Sequence, residues 1–161
     1  MNKIRNILWI CLGNTARSPV AEYLARYYAQ KNDLDLKFES AGFINAFSYM
    51  QKESKKYLES KGIKSSDFRP QLITHNLLER QDLILTMEAS HIRDILNNYK
   101  DIKELKKKLC TLKQFNGETE DLDIIDPYYT SHSTFLKILR IIDENVIKAI
   151  ERIKKINSRE I

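Results

Sequence analysis

The chain has 161 residues, with 27 Lys+Arg against 22 Asp+Glu and a net charge of +5, and its length suits one domain, residues 1–161, with a substantial core. No apolar run approaches the roughly 18 to 20 residues that span a bilayer. The start Met1-Asn2-Lys3-Ile4-Arg5 leads into a strand rather than a secretory leader, and two cysteines are too few for a disulfide scaffold. A cytoplasmic protein with no membrane partner is therefore expected. The lysines are dispersed on helix faces or bunched at Lys103, Lys106, Lys107 and Lys108 without interleaved aromatics; this argues for a solvated surface suited to anionic substrates and against nucleic acid.

Strand and helix patterns alternate along the chain. Ile4 to Ile10 reads as a buried strand and Pro19 to Lys31 as a helix. Leu36 to Glu39 is a short strand ending at the turn-forming Ser40-Ala41-Gly42. A helix follows from Met50 to Ser60 and stops at Gly62, then a buried strand from Asp82 to Met87 and a helix from Ala89 to Asn97. Leu109 to Leu112 is a shorter strand. In the last helix Phe135, Leu139, Ile142, Val146, Ile150 and Ile153 recur at helical spacing and form an apolar stripe that packs on a sheet. The alternation predicts an α/β fold, a parallel sheet covered on both faces, with ligands beyond the strand C-termini.

Cys11-Leu12-Gly13-Asn14-Thr15-Ala16-Arg17-Ser18-Pro19 lies between the first strand and the first helix, at that edge. Cysteine and arginine at this spacing are not specific alone; the strand–loop–helix context supplies the specificity. Gly13 permits backbone angles that turn successive N–H groups onto an anion, and Asn14 suits a left-handed conformation. Ser18 is expected at the helix cap and Pro19 at the first helical position, with the positive helix end aimed into the cup. That field favours Cys11 as a nucleophilic thiolate. Arg17 can meet two phosphoryl oxygens with its planar fork, and Ser18 can donate to the departing sulfur. A buried structural cysteine at a strand end is the plainer alternative.

A phosphate monoester also needs its leaving oxygen protonated. Asp126-Pro127-Tyr128-Tyr129 lies in a polar loop anchored by Ile124-Ile125, and Pro127 restricts the residue before it, which suits Asp126 to aim a carboxyl group as general acid and then general base. An ordinary Asp-Pro turn is the alternative.

Together the two motifs resemble the low-molecular-weight protein-tyrosine phosphatase family. Its pattern Cys-x-Gly-Asn-x-x-Arg-Ser-Pro is met from Cys11 to Pro19 and its acid loop Asp-Pro-Tyr-Tyr from Asp126 to Tyr129. The resemblance implies a single three-layer domain with a four-stranded parallel sheet, and phosphatase activity without metal or cofactor. Its substrate would be a phosphorylated protein or peptide and its product inorganic phosphate. Phosphate would be held by Leu12, Gly13, Asn14, Thr15, Ala16 and Ser18, with Tyr128 and Tyr129 beside the substrate and Ser40 bracing Asn14.

Some positions depart from the family pattern. Ala16 stands where redox-regulated members carry a second cysteine, and Cys110 in a late strand reads as a core residue. Phe68 stands where a histidine often braces the loop, and Phe47 or Tyr49 is the candidate for the aromatic wall of the substrate slot. Thr15 resembles the related protein-arginine phosphatases, whereas Tyr128-Tyr129 resembles the tyrosine-selective branch; phosphotyrosine is favoured, with phosphoarginine open. A non-catalytic phosphate-binding module, an arsenate reductase and a nucleotide-binding loop are less favoured readings. His75, His91 and His132 show no metal-ligand spacing.

Overall fold

In the computed structural model, which describes residues 2–159, Ile7-Leu8-Trp9-Ile10 form the centre of β1 (Asn6–Cys11), and all four are fully buried. Continuous burial of this kind marks a strand covered on both faces. Alternate residues serve opposite layers: Ile7 and Trp9 join one core, Leu8 and Ile10 the other. β2 (Lys37–Gly42) and β3 (Leu83–Thr86) flank β1, and β4 (Leu109–Thr111) completes a parallel sheet of order β2-β1-β3-β4. The expected four-stranded α/β sheet is present. Met1, Glu160 and Ile161, which belong to the expected 1–161 span, lie outside the described residues.

One layer is built from α1 (Arg17–Lys31), α2 (Lys52–Ser60) and α6 (His132–Ser158). The six stripe residues of α6, from Phe135 to Ile153, are all buried in it. Asp143 on α6 ties the layer together: it accepts from Tyr28 Oη at 2.5 Å and Tyr57 Oη at 2.6 Å, with Lys61 Nζ at 3.1 Å. The opposite layer holds α3 (His75–Glu79) and α4 (Ala89–Asn98) through Leu77, Leu78 and Ile95.

Several boundaries differ from the sequence reading, and each has a local cause. The first strand starts at Asn6, because Ile4 is held instead by paired 2.8 Å hydrogen bonds with the Asn157 side chain on α6. Ser40-Ala41-Gly42 is not a turn but the end of β2, paired with Trp9, Ile10 and Cys11. Leu112 leaves the sheet to begin α5 (Leu112–Phe115), because Thr111 and Gln114 close a reciprocal capping box. The short α3, capped by Thr74 accepting from the Leu77 amide at 3.1 Å, has no periodic apolar signal long enough to reveal it.

Candidate active site

Cys11 ends β1 and the next five residues loop into α1 at the C-terminal edge of the sheet. The loop's carbonyls are drawn outward. Leu12 O accepts from the Phe43 amide at 2.7 Å, Thr15 O from the Gln51 amide at 2.8 Å, and Ala16 O from Ser54 Oγ at 3.0 Å. With those carbonyls outward, the amides of Gly13 to Ala16 have no acceptor among the described residues. They are free to converge on an anion.

The left-handed residue is Asn14, with φ 54°, as its side chain suggested. Gly13 is needed for a different reason from the one expected. Its φ is not positive, but a Cβ there would come within 2.9 Å of Ala46 Cβ. Gly42 is as constrained, since a Cβ would meet the Asn14 amide nitrogen and Leu12 carbonyl at 2.8 Å.

Beneath the cup, one amide organises two hydroxyls. Asn14 Nδ2 donates to both Ser18 Oγ and Ser40 Oγ at 2.8 Å. Because each oxygen accepts from Asn14, its own hydrogen is free for another partner. Ser40 donates to Glu22 Oε1 at 2.5 Å, and Ser18 Oγ lies 3.0 Å from Cys11 Sγ. The expected bracing of Asn14 by Ser40 is present, and Gln71 adds to it by donating its amide to Asn14 Oδ1 at 2.9 Å. Phe68, where related chains often carry a bracing histidine, packs edge-on against Tyr23 with centroids 6.1 Å apart and leaves that bracing to Gln71. Glu22 carried no sequence signal of its own. Burial pushes its carboxyl above the usual range, against the opposing hydrogen bond from Ser40 and the Arg26 ion pair.

The helix start is a correction. α1 begins at Arg17, with Ala16 at the cap and no side-chain cap bond, so Pro19 is the third helical residue. Ser18 does not cap because its hydroxyl is taken by Asn14 and the sulfur. Its amide instead donates to Cys11 Sγ at 3.4 Å. Two donors therefore face the sulfur.

Arg17 is buried, at 1% exposure, and held from one side. Its Nη1 donates to Glu88 Oε2 at 2.6 Å and to Ile124 O at 2.7 Å, while buried Nε has no partner among the described residues. A buried, unpartnered guanidinium nitrogen beside free amides is a donor prepared for an anion. Ile124 anchors the acid loop through its amide on Met87 O at 2.8 Å; Ile125, paired with it in the sequence reading, is exposed instead. Behind Glu88, His91 Nε2 stands 3.5 Å from the same Oε2. Burial pushes the His91 imidazole below its ordinary value, against the pull of Glu88.

Asp126 reaches the cup from the other end of the chain. Its Oδ2 is 3.7 Å from Arg17 Nη2, and its Oδ1 accepts from the Tyr128 amide at 3.0 Å, which fixes the carboxyl direction. Cys11, Leu12, Thr15, Ala16, Arg17, Asp126, Tyr128 and Tyr129 line one cavity of about 370 Å³, joined by Phe47. Phe47 packs on Tyr128 with centroids 5.7 Å apart, and Tyr128 on Tyr129 at 4.2 Å. Of the two aromatic candidates Phe47 is the one in this wall; Tyr49 lies behind it at 5.6 Å. Cys110 sits in β4 and does not line the cavity. Burial pushes its thiol up to about 11.

A sulfur with two donors, loop amides without an acceptor, an arginine held from one side and an aimed carboxyl can hold a tetrahedral dianion, attack it and protonate what leaves. Fold and site are those of a phosphoric monoester hydrolase. The chain belongs to the low molecular weight phosphotyrosine protein phosphatase family, whose profile matches residues 6–159. It is 30% identical over 152 residues to the probable low molecular weight protein-tyrosine-phosphatase EpsP of Ralstonia nicotianae, covering 94% of this chain and 97% of that one. The low molecular weight protein tyrosine phosphatase of T. tengcongensis superposes with a TM-score of 0.83 at 30% identity, covering 91% and 98%. The YwlE arginine phosphatase of Geobacillus stearothermophilus superposes at 0.85 with 26% identity, covering 98% and 97%.

Proposed function

We propose that the enzyme hydrolyses phosphotyrosine in proteins through a cysteinyl-phosphate at Cys11. The single observation that carries the substrate reading is the aromatic wall: Phe47, Tyr128 and Tyr129 stand over the cup where a phenyl ring of the substrate would stack. In the first step Cys11 Sγ attacks phosphorus as the ester P–O bond breaks, and Asp126 gives its proton to the leaving oxygen. Arg17 and the amides of Gly13 to Ala16 bind the equatorial oxygens as charge builds on them. In the second step water attacks phosphorus, Asp126 takes its proton, and sulfur leaves while Ser18 donates to it. Inorganic phosphate is released. Arg17 and the amides supply the charge stabilisation, so the proposed route uses no metal or cofactor.

A second reading is phosphoarginine hydrolysis, favoured by Thr15. This buried residue lines the cup with its Oγ1 accepting from Gln51 Nε2 at 3.3 Å, and a second lone pair can accept from a phosphorylated guanidine. The relative from Geobacillus stearothermophilus is named an arginine phosphatase. Phosphotyrosine and phosphoarginine forms of one peptide, assayed side by side with the parent and Thr15→Ile, decide between them. The expected result is higher kcat/KM on phosphotyrosine, with Thr15→Ile widening the gap; a parent enzyme faster on phosphoarginine overturns the phosphotyrosine reading. A reducing compartment, the cytoplasm, suits an enzyme whose nucleophile must remain a free thiol.

A further inference from the structure

Beside the cup, on the far side of Tyr49, lies a second groove of about 430 Å³ that the proposed chemistry does not use. Its floor is Met50 and Phe68, and its rim carries four cations, Lys52, Lys55 and Lys56 on α2 and Arg69 on the segment that follows. The lysine spacing places all three on one helix face, where like charges repel. Among the described residues Glu59 is the only carboxylate on the groove. Among the described residues none of the four cations has an acidic partner within 4.0 Å, so no ion pair neutralises the cluster. Arg69 is also held in place, its Nη1 donating to Phe68 O at 2.7 Å and Ser66 O at 3.2 Å, which leaves the rest of its fork free.

The groove neighbours the cup, with Tyr49 and Phe47 between them. Tyr49, more than half exposed, stacks on Phe47 of the substrate wall, and Gln51, which contacts Thr15, immediately precedes α2. A peptide whose phosphorylated side chain enters the cup would need only to pass Tyr49 to meet the lysine face.

We propose that this groove binds acidic residues flanking the phosphorylated residue, so that the enzyme selects phosphoproteins whose modified site lies in an acidic stretch. The inference rests on the phosphatase reading above and adds the sequence context of its substrate. Carboxylates of the peptide relieve the repulsion among the lysines, and the attraction is screened by salt because the groove is open to solvent.

The test compares three phosphopeptides that differ only in the residues flanking the phosphorylated one: glutamates, glutamines or lysines. p-Nitrophenyl phosphate, too small to reach the groove, normalises each rate. The expected result is kcat/KM about tenfold higher for the glutamate peptide than the glutamine peptide at low ionic strength, shrinking in about 0.5 M salt. The preference disappears in Lys52→Gln/Lys55→Gln/Lys56→Gln. It persists in Lys103→Gln/Lys106→Gln/Lys107→Gln, which removes the same charge near the start of β4, at the opposite edge of the sheet. Equal rates on the three peptides, or equal loss of preference in both variants, overturn the groove. If the groove variant alone loses binding to phosphatidylserine vesicles while peptide rates stay equal, the face belongs to a lipid surface and the proposal fails. No turnover of p-nitrophenyl phosphate by the parent overturns the phosphatase reading itself, a failure distinct from loss of peptide preference alone.

Discussion

Asn14 Nδ2 and Ser18 Oγ lie 2.8 Å apart, and that one bond sets the direction of the Ser18 hydroxyl. An amide nitrogen can only donate, so the serine oxygen must accept and its hydrogen turns to Cys11 Sγ at 3.0 Å. The left-handed backbone of Asn14 brings its side chain under the loop, where the same amide also reaches Ser40.

Ser18→Ala removes the donor that meets the departing sulfur. A hydrogen bond to a charged group is worth about 1.5–3 kcal/mol, so kcat should fall about 10- to 100-fold. The same change leaves a buried Asn14 Nδ2 hydrogen without its acceptor, a cost of about 1–3 kcal/mol, so the melting temperature should also drop. Steady-state kinetics beside a melting curve checks both.

Arg17→Lys keeps the charge and loses the fork. Lysine cannot reach Glu88 Oε2 and Ile124 O while also presenting two donors to phosphate. The expected loss in kcat/KM is about 10²- to 10³-fold, the scale for removing an aligned donor to transition-state charge. Inorganic phosphate should also inhibit the variant more weakly.

Gly42→Ala is expected to damage both stability and activity. Its Cβ would press on the backbone of Asn14 and Leu12 at 2.8 Å, and neither backbone can yield without moving the cup. Overpacking of this kind costs about 1–3 kcal/mol, visible as a drop in melting temperature together with reduced turnover.

The pH dependence of stability has a defined sign at His91. Burial holds its imidazole below the ordinary 6.5, so the unfolded chain takes up a proton that the folded one resists. Stability should therefore fall as pH drops below about 6.5 and level off once the folded group also protonates. Chemical denaturation across this range should show a shallower loss in His91→Gln.

The two cysteines should differ in reactivity. Cys110, half-buried with its thiol pushed up to about 11, remains protonated at neutral pH and should resist iodoacetate. Cys11 faces two donors and a cavity, and should alkylate there in competition with inorganic phosphate. Peptide mapping after partial modification reads out both sites.

The sheet was legible because β1 is a buried run of four large apolar residues, and α6 because its stripe repeats over many turns. Cys11, Arg17 and Asp126 stood in short motifs with characteristic neighbours. The supports were harder to read. Glu22 looks like any helix-surface glutamate, and only the crossing of α1 over β2 carries it to Ser40. Gln71 reaches Asn14 through its backbone amide and Ser40 O through its side-chain amide at 2.9 Å, and neither contact has a local sequence signal. The role of Ser18 was half legible: a serine before proline suggests a cap, whereas tertiary contacts redirect its hydroxyl to sulfur. The capping box at Thr111 and Gln114 was present in the sequence, and it explains why the last strand stops at Thr111.

The most direct test of the central claim is rapid quenching of Asp126→Ala during turnover of p-nitrophenyl phosphate, followed by mass spectrometry of the peptides. Without the carboxyl that activates water, the intermediate should accumulate, and the phosphoryl group should be found on Cys11. A phosphoryl group on another residue, or full turnover by Cys11→Ser, would contradict the account.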